Sequence, residues 1–146
     1  MAKEMPPGFP NNTIPVQRAL IAVSLLKPEQ LADTIALLYD ASFAKRQDIH
    51  ILENLNPIFT RLFGEAAAKN ILSKATSDEV KKMLVSKTDE ALAEGSFGLP
   101  WYVATDSEGE KESYWGFDHI AQVADHLGLE RPKPGSSQEG GWKAML

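Results

Sequence analysis

The 146-residue sequence predicts a mainly α protein with a C-terminal β-hairpin. Apolar residues recur at helical spacing from Val16 to Ala91, the first sign of an α-rich body. The period then changes: Trp101-Tyr102-Val103-Ala104-Thr105 and Glu112-Ser113-Tyr114-Trp115 are aromatic or β-branched runs flanking a glycine-containing turn. The Pro-Pro-Gly-Phe-Pro run at 6–10 cannot be helical, because proline lacks a donor and pushes its predecessor out of the α region.

Thr13 is the expected first N-cap, with Pro15 in the first turn and Gln17 near a capping-box position. Val16, Ala19, Leu20, Val23 and Leu26 then mark one helix face. Lys27-Pro28 breaks it and Pro28-Glu29 opens a second helix, whose expected buried stripe is Leu31, Ile35, Leu38, Tyr39 and Ser42. A linker at 45–48 leads into 49–55, and Asn56-Pro57 is expected to restart a helix carrying Ile58, Phe59, Leu62 and Phe63, closed by Gly64. A short Ala-rich helix covers 65–74. Thr76-Ser77-Asp78-Glu79 is a capping cluster. The helix behind it faces inward with Val80, Met83, Leu84, Lys87, Thr88 and Ala91, and turns Lys81, Lys82, Asp89 and Glu90 to water, ending at Gly95. Past the hairpin, helical spacing returns at Ile120, Val123, Ala124 and Leu127, and Gly128 stops it. The tail from Arg131, rich in Pro, Gly and Ser, reads as loosely held.

A net charge of −5 argues against nucleic-acid binding, which needs a basic surface. The absence of cysteine rules out disulfides, thiolate metal sites and a redox pair within these residues, so any thiol chemistry needs a bound thiol. No apolar run is long enough for a membrane span, and the N-terminal residues hold no signal-peptide core. His50 and His126 read as surface or helix-end residues, with no acid spacing that suggests a metal. Trp101, Tyr102, Tyr114 and Trp115 read as cross-strand pairs rather than as walls of an acceptor pocket. A two-stranded hairpin is marginal alone and has open edges. Helices must cover it, or further strands must come from outside these residues.

The run Gly95-Ser96-Phe97-Gly98-Leu99-Pro100, the hairpin, and Gly116-Phe117-Asp118 together resemble the end of the kappa-class glutathione transferases and the 2-hydroxychromene-2-carboxylate isomerases. Gly8-Phe9-Pro10-Asn11-Asn12-Thr13 and Gln17-Arg18-Ala19 resemble that family's approach to its helical domain. The resemblance implies a truncated thioredoxin-like fold of the DsbA and kappa kind, a helical insertion domain plus a strand–strand–helix end. Its expected layout is a Pro-rich lead-in at 1–12, the helical domain at 13–95, the C-terminal half of the thioredoxin-like domain at 96–130 and a flexible tail at 131–146. The family's strand–helix–strand front, with its glutathione-activating serine, has no counterpart here.

What the resemblance implies for chemistry is specific. Leu99 and Pro100 match the cis-proline position, where the backbone of the preceding residue pairs with the cysteinyl part of glutathione. Asp118 would hold the α-amino group of the γ-glutamyl end, and the amides of Phe117 and Asp118 its carboxylate; the plainer reading of Asp118 is a helix N-cap. Phe117 and His119 stand where the family more often has Ser and Arg, which removes two contacts. Glutathione is thus the implied co-substrate, with a small hydrophobic or electrophilic acceptor, a homodimer, no metal, no nucleic acid and no membrane. The implied reactions are conjugation, peroxide reduction or isomerisation, in a mitochondrial, peroxisomal or otherwise intracellular setting. No catalytic residue is assigned, and the chain alone is expected to be inactive. The alternatives are a non-catalytic oligomerisation or interaction module, and a fragment of a longer enzyme.

Overall fold

The structure, a computed structural model, describes residues 9–130. The proline-rich lead-in before Phe9 and the tail from Arg131 lie outside the described residues. Two compact units divide after Lys87.

The first unit is helical. Helix α1 (Ile14–Leu26) is followed by a 3-10 turn (Pro28–Gln30), α2 (Leu31–Tyr39), one turn of π-helix (Asp40–Ala44), α3 (Leu52–Phe63) and α4 (Glu65–Ala75), and α5 (Asp78–Ala93) carries the chain across the unit boundary. Its core joins Val16, Ala19, Ala22 and Val23 of α1 to Leu38, to Leu55 and Phe59 of α3, and to Ala68, Ile71 and Ala75 of α4. Alanines on α1 and α4 let those helices approach closely, and α1 packs on α4 as α3 does. Fully buried Phe59 supplies the largest apolar side chain of this core, and such a burial stabilises by roughly 1.5–3 kcal/mol.

Four local expectations change. Thr13 is the N-cap of α1 but its hydroxyl caps nothing; Asn12 Oδ1 accepts the Ile14 N–H at 3.0 Å instead. An N-cap hydroxyl reaches for the second or third amide, and Pro15 removes the second. In α2, Thr34 and Leu38 turn inward while Ile35 and Tyr39 are exposed, Tyr39 by 63%. Thr34 is buried because its hydroxyl donates to the Gln30 carbonyl at 2.7 Å, which offsets the cost of desolvating it. Pro57 does not restart a helix but lies inside α3, where the buried pair Leu55 and Phe59, one turn apart, holds the helix continuous across the missing donor. On α5 only Val80 is buried, with its N–H on Ser77 Oγ at 3.3 Å, whereas Val85 and Leu92 face solvent.

In the second unit β1 (Trp101–Thr105) pairs antiparallel with β2 (Lys111–Trp115), in the register Trp101↔Trp115 and Tyr102↔Tyr114. The aromatic residues are therefore the cross-strand pairs their positions predicted. A 3-10 turn (Phe117–His119) leads into α6 (Ile120–His126), which packs on β1 and buries Val123 and Ala124, with Ala104 buried in β1. The loop between the strands is closed by Asp106, whose Oδ1 accepts the amides of Glu108 at 2.8 Å and Glu110 at 2.9 Å. Lys111 at the start of β2 pairs with Glu94 at 2.6 Å.

Phe59→Ala is expected to destabilise the helical unit by roughly 3–5 kcal/mol in chemical denaturation followed by circular dichroism. Arg46 holds a left-handed backbone with φ of 56° just after the π-turn, where glycine meets no Cβ penalty. Arg46→Gly is expected to leave the fold intact and raise its stability by up to about 1 kcal/mol in the same melt.

Candidate functional site

Gly95, with φ of 82°, ends the helical run and opens the loop 96–100. The Leu99–Pro100 peptide bond is cis, and β1 begins at the next residue. At the other end of the hairpin Gly116, with φ of 90°, turns the chain from β2 into the Phe117–His119 turn. One bond closes these two corners on each other: the Gly116 N–H donates to the Pro100 carbonyl at 3.0 Å, one step beyond the Trp101↔Trp115 pair. The four positions proposed from sequence, Leu99, Pro100, Phe117 and Asp118, therefore meet at one end of the hairpin.

Both corners need glycine for close approach. A Cβ on Gly98 would stand 2.6 Å from Trp115 Nε1, so the indole lies directly over the loop backbone. A Cβ on Gly116 would run into Asp118 Oδ1. The carboxylate of Asp118 thus folds back over the turn, with its other oxygen 3.4 Å from His119 Nδ1. That contact is a charge-pair distance without hydrogen-bond geometry, and His119 Nδ1 finds no hydrogen-bond partner among the described residues. Asp118 is not an N-cap: Gly116 holds that position, and Asp118 is the second residue of the turn.

The corner is open to a ligand. Leu99 is 81% exposed and the Asp118 side chain 73%. Neither the N–H nor the C=O of Leu99 is hydrogen-bonded among the described residues, which leaves a backbone donor and acceptor unpaired in the loop just before the strand. Exposed Phe97 sits edge-on to Trp101 at 5.3 Å and tilted against Trp115 at 5.2 Å. This aromatic trio was not singled out from sequence as a unit. Its signal was present in the single glycine between Phe97 and Leu99, the only side-chain choice that leaves room for the Trp115 indole.

The far end of the hairpin carries no such opening. His126 is the last residue of α6, the helix end of the two expected alternatives: its side chain is 12% exposed, Nε2–H donates to the Glu110 carbonyl at 3.1 Å, and its ring lies 6.2 Å from Tyr114. The Tyr114 hydroxyl donates to Glu112 Oε2, and that bond, then desolvation, push its pKa up to about 12. The Glu110 and Glu108 amides, the former most, hold the Asp106 carboxyl below its ordinary value. Among the described residues no cluster of His, Asp and Glu is arranged to hold a metal, and no helix is long and apolar enough to cross a membrane.

The DSBA-like thioredoxin domain family matches residues 3–128. This chain belongs to that family. It is 30% identical over 117 residues to "Glutathione s-transferase kappa 2" of Caenorhabditis elegans, a stretch that covers 80% of this chain and 52% of that protein. To "Glutathione S-transferase kappa 1" of Rattus norvegicus it is also 30% identical over 117 residues, covering 80% of this chain and 51% of the relative. The chain thus spans about half the length of the curated relatives it matches. A crystal structure from Nitrosomonas europaea, provisionally assigned as a protein disulfide isomerase, superimposes with a TM-score of 0.65 over 81% of this chain and 58% of that one. At 22% identity it shows a shared fold and no more. The mainly helical body, the C-terminal hairpin and the thioredoxin-like kinship expected from the sequence all stand.

Tyr114 is expected to titrate near pH 12 rather than near 10.0, read by its absorbance on ionisation, and Glu112→Ala to return it towards 10.0. Because the folded value is raised, the stability this bond contributes is fully present below pH 10.0 and is lost as pH rises through about 12. Gly98→Ala is expected to displace the Trp115 indole, seen as a shift in tryptophan emission with the helical content unchanged.

Proposed function

We propose that the end of the hairpin recognises glutathione, and that the chain serves a glutathione-dependent enzyme of the transferase, peroxidase or isomerase type. The hydrogen bond from Gly116 to Pro100 carries this reading, because it ties the loop of Leu99, with its unpaired backbone donor and acceptor, to the turn that holds the exposed carboxylate of Asp118. Glutathione is a short peptide-like molecule with a zwitterionic end. Leu99 would pair with the cysteinyl backbone as a strand pairs with a strand, with the turn at Pro100 presenting it. Asp118 would hold the α-amino group by a charge-assisted bond, and the amides opening the turn at Phe117 and Asp118 would take the neighbouring carboxylate. The kinship to kappa-class transferases supports the choice of ligand. The aromatic trio beside Leu99 holds no base, and Asp118 is assigned to the α-amino group in this reading. The proposed role of these residues is therefore to recognise and orient the tripeptide, while the acceptor is a small hydrophobic or electrophilic compound.

A second reading has its own support. The sheet has two strands among the described residues, so one edge of β1 is unpaired and could receive a strand from another polypeptide, as an interaction module would.

Isothermal titration of the full chain with reduced glutathione, from micromolar to millimolar, separates the two. Saturable binding that Asp118→Asn weakens by roughly tenfold supports the first, that factor being about 1.4 kcal/mol of a charge-assisted contact. No heat at millimolar glutathione removes it and leaves the second.

A further inference from the structure

A separate opening lies wholly within the helical unit. A cavity of about 390 Å³ is walled by α1, by α2 with its π-turn, and by the segments around Phe9 and Ile49. Drug-sized ligands occupy pockets of roughly 300–1,000 Å³. An aromatic arc borders it: Phe9 is edge-on to Phe43 at 6.4 Å, and Phe43 stacks on Tyr39 at 5.7 Å with planes 20° apart. These three rings and Ile35 are among the exposed large hydrophobic residues of the chain, which concentrates apolar surface at one opening. Val16, Leu20 and Leu38 floor it.

The polar part of the lining is as informative. No Asp, Glu, Lys or Arg lines the cavity among the described residues, although a quarter of the chain (24%) is charged. Six polar side chains line it, Asn11, Thr13, Gln17, Ser42, Gln47 and His50, and the last four make no side-chain hydrogen bond among the described residues. Gln17 and Gln47 are exposed and Ser42 and His50 half-buried, so their polar groups stand at the opening, able to exchange water for a ligand. An amide, a hydroxyl and an imidazole offer both donors and acceptors but no fixed opposite charge for an ion.

We propose that this cavity is a binding site for an uncharged, flat aromatic molecule of about two rings bearing a hydrogen-bonding substituent. The stacked Tyr39 and Phe43 rings take a ring edge or face, and Gln17, Ser42, Gln47 and His50 meet the substituent. A formal charge on the ligand is excluded by the lining, since burying it there leaves it unpaired. Every lining residue belongs to the helical unit, and none of them is a residue of the glutathione corner.

Two fluorescent probes with one ring skeleton test it on the full chain: 2-naphthol, which is neutral, and 6-hydroxynaphthalene-2-sulfonate, which adds one sulfonate. The neutral probe is expected to bind saturably at one site, and the sulfonate roughly tenfold or more weakly. Ser42→Trp, which fills the cavity from the π-turn, is expected to abolish the neutral probe's signal. Tyr39→Ala, at a position exposed enough to tolerate the change, is expected to weaken binding about threefold or more. Phe97→Ser, whose side chain is not part of the lining, should leave it within about twofold. Equal binding of the two probes, unchanged binding in Tyr39→Ala, or loss of binding in Phe97→Ser would each overturn the proposal. Glutathione is absent from this titration, so its outcome and that of the glutathione calorimetry are read separately.

Discussion

The backbone bond from Gly116 to Pro100 lies where a two-stranded ladder would otherwise fray. Each strand here has one neighbour among the described residues, so the ladder has little cooperativity to spare. What holds its end is this bond, the Trp101↔Trp115 pair next to it, and the Trp115 indole seated on Gly98. The same few contacts fix where Leu99 and Asp118 stand. Stability of the hairpin end and geometry of the ligand corner are therefore one property. The two glycines that make it possible, Gly98 and Gly116, contribute by having no side chain, since a methyl group at either would separate the loop from the turn.

The opposite end of the hairpin is closed by polar groups instead. Asp106 gathers the loop amides, and His126 fastens the last turn of α6 to the Glu110 carbonyl. The unit thus has one sealed pole and one open pole. The most exposed aromatic residues of the unit, Phe97, Trp115 and Phe117, stand at the open one with Leu99. In the helical unit the division is similar in kind: small residues on α1 and α4 make a dense interior, and the larger rings are left at the mouth of a cavity.

Much of this was legible in the sequence where one strong local signal acted alone. The change of period near residue 101, the glycine stops at Gly64, Gly95 and Gly128, and the Ser77 cap all lie where the pattern put them. Reading failed where two local signals competed. Pro57 looks like a helix start, yet the burial of Leu55 and Phe59 on either side outweighs one missing hydrogen bond. Tyr39 looks like a core residue by spacing, but Thr34 takes the inward place because its hydroxyl satisfies itself within the helix. The His126–Glu110 and Gly116–Pro100 bonds were illegible for a different reason. Both join residues far apart in sequence, 16 positions in each case, and periodicity carries no information about such pairs. For the site, glycine and proline punctuation marked the corner, whereas the cavity of the helical unit, built from three separated segments, left no local trace.

The π-turn at Asp40–Ala44 has a consequence for how this segment can vary in length. A π-turn amounts to one extra residue accommodated within a helix, with the chain before and after it kept in phase by a local widening. Losing one residue here would let the turn relax into ordinary helix while the chain after it stays close to the phase it has now relative to α2. What changes is local, the part of the turn that sets Phe43 against the Tyr39 ring and Ser42 at the cavity. A gain or loss of a single codon in this short window would thus reshape the rim of the cavity while sparing the core beneath it, so the segment is a point at which chain length can vary at small cost to the fold.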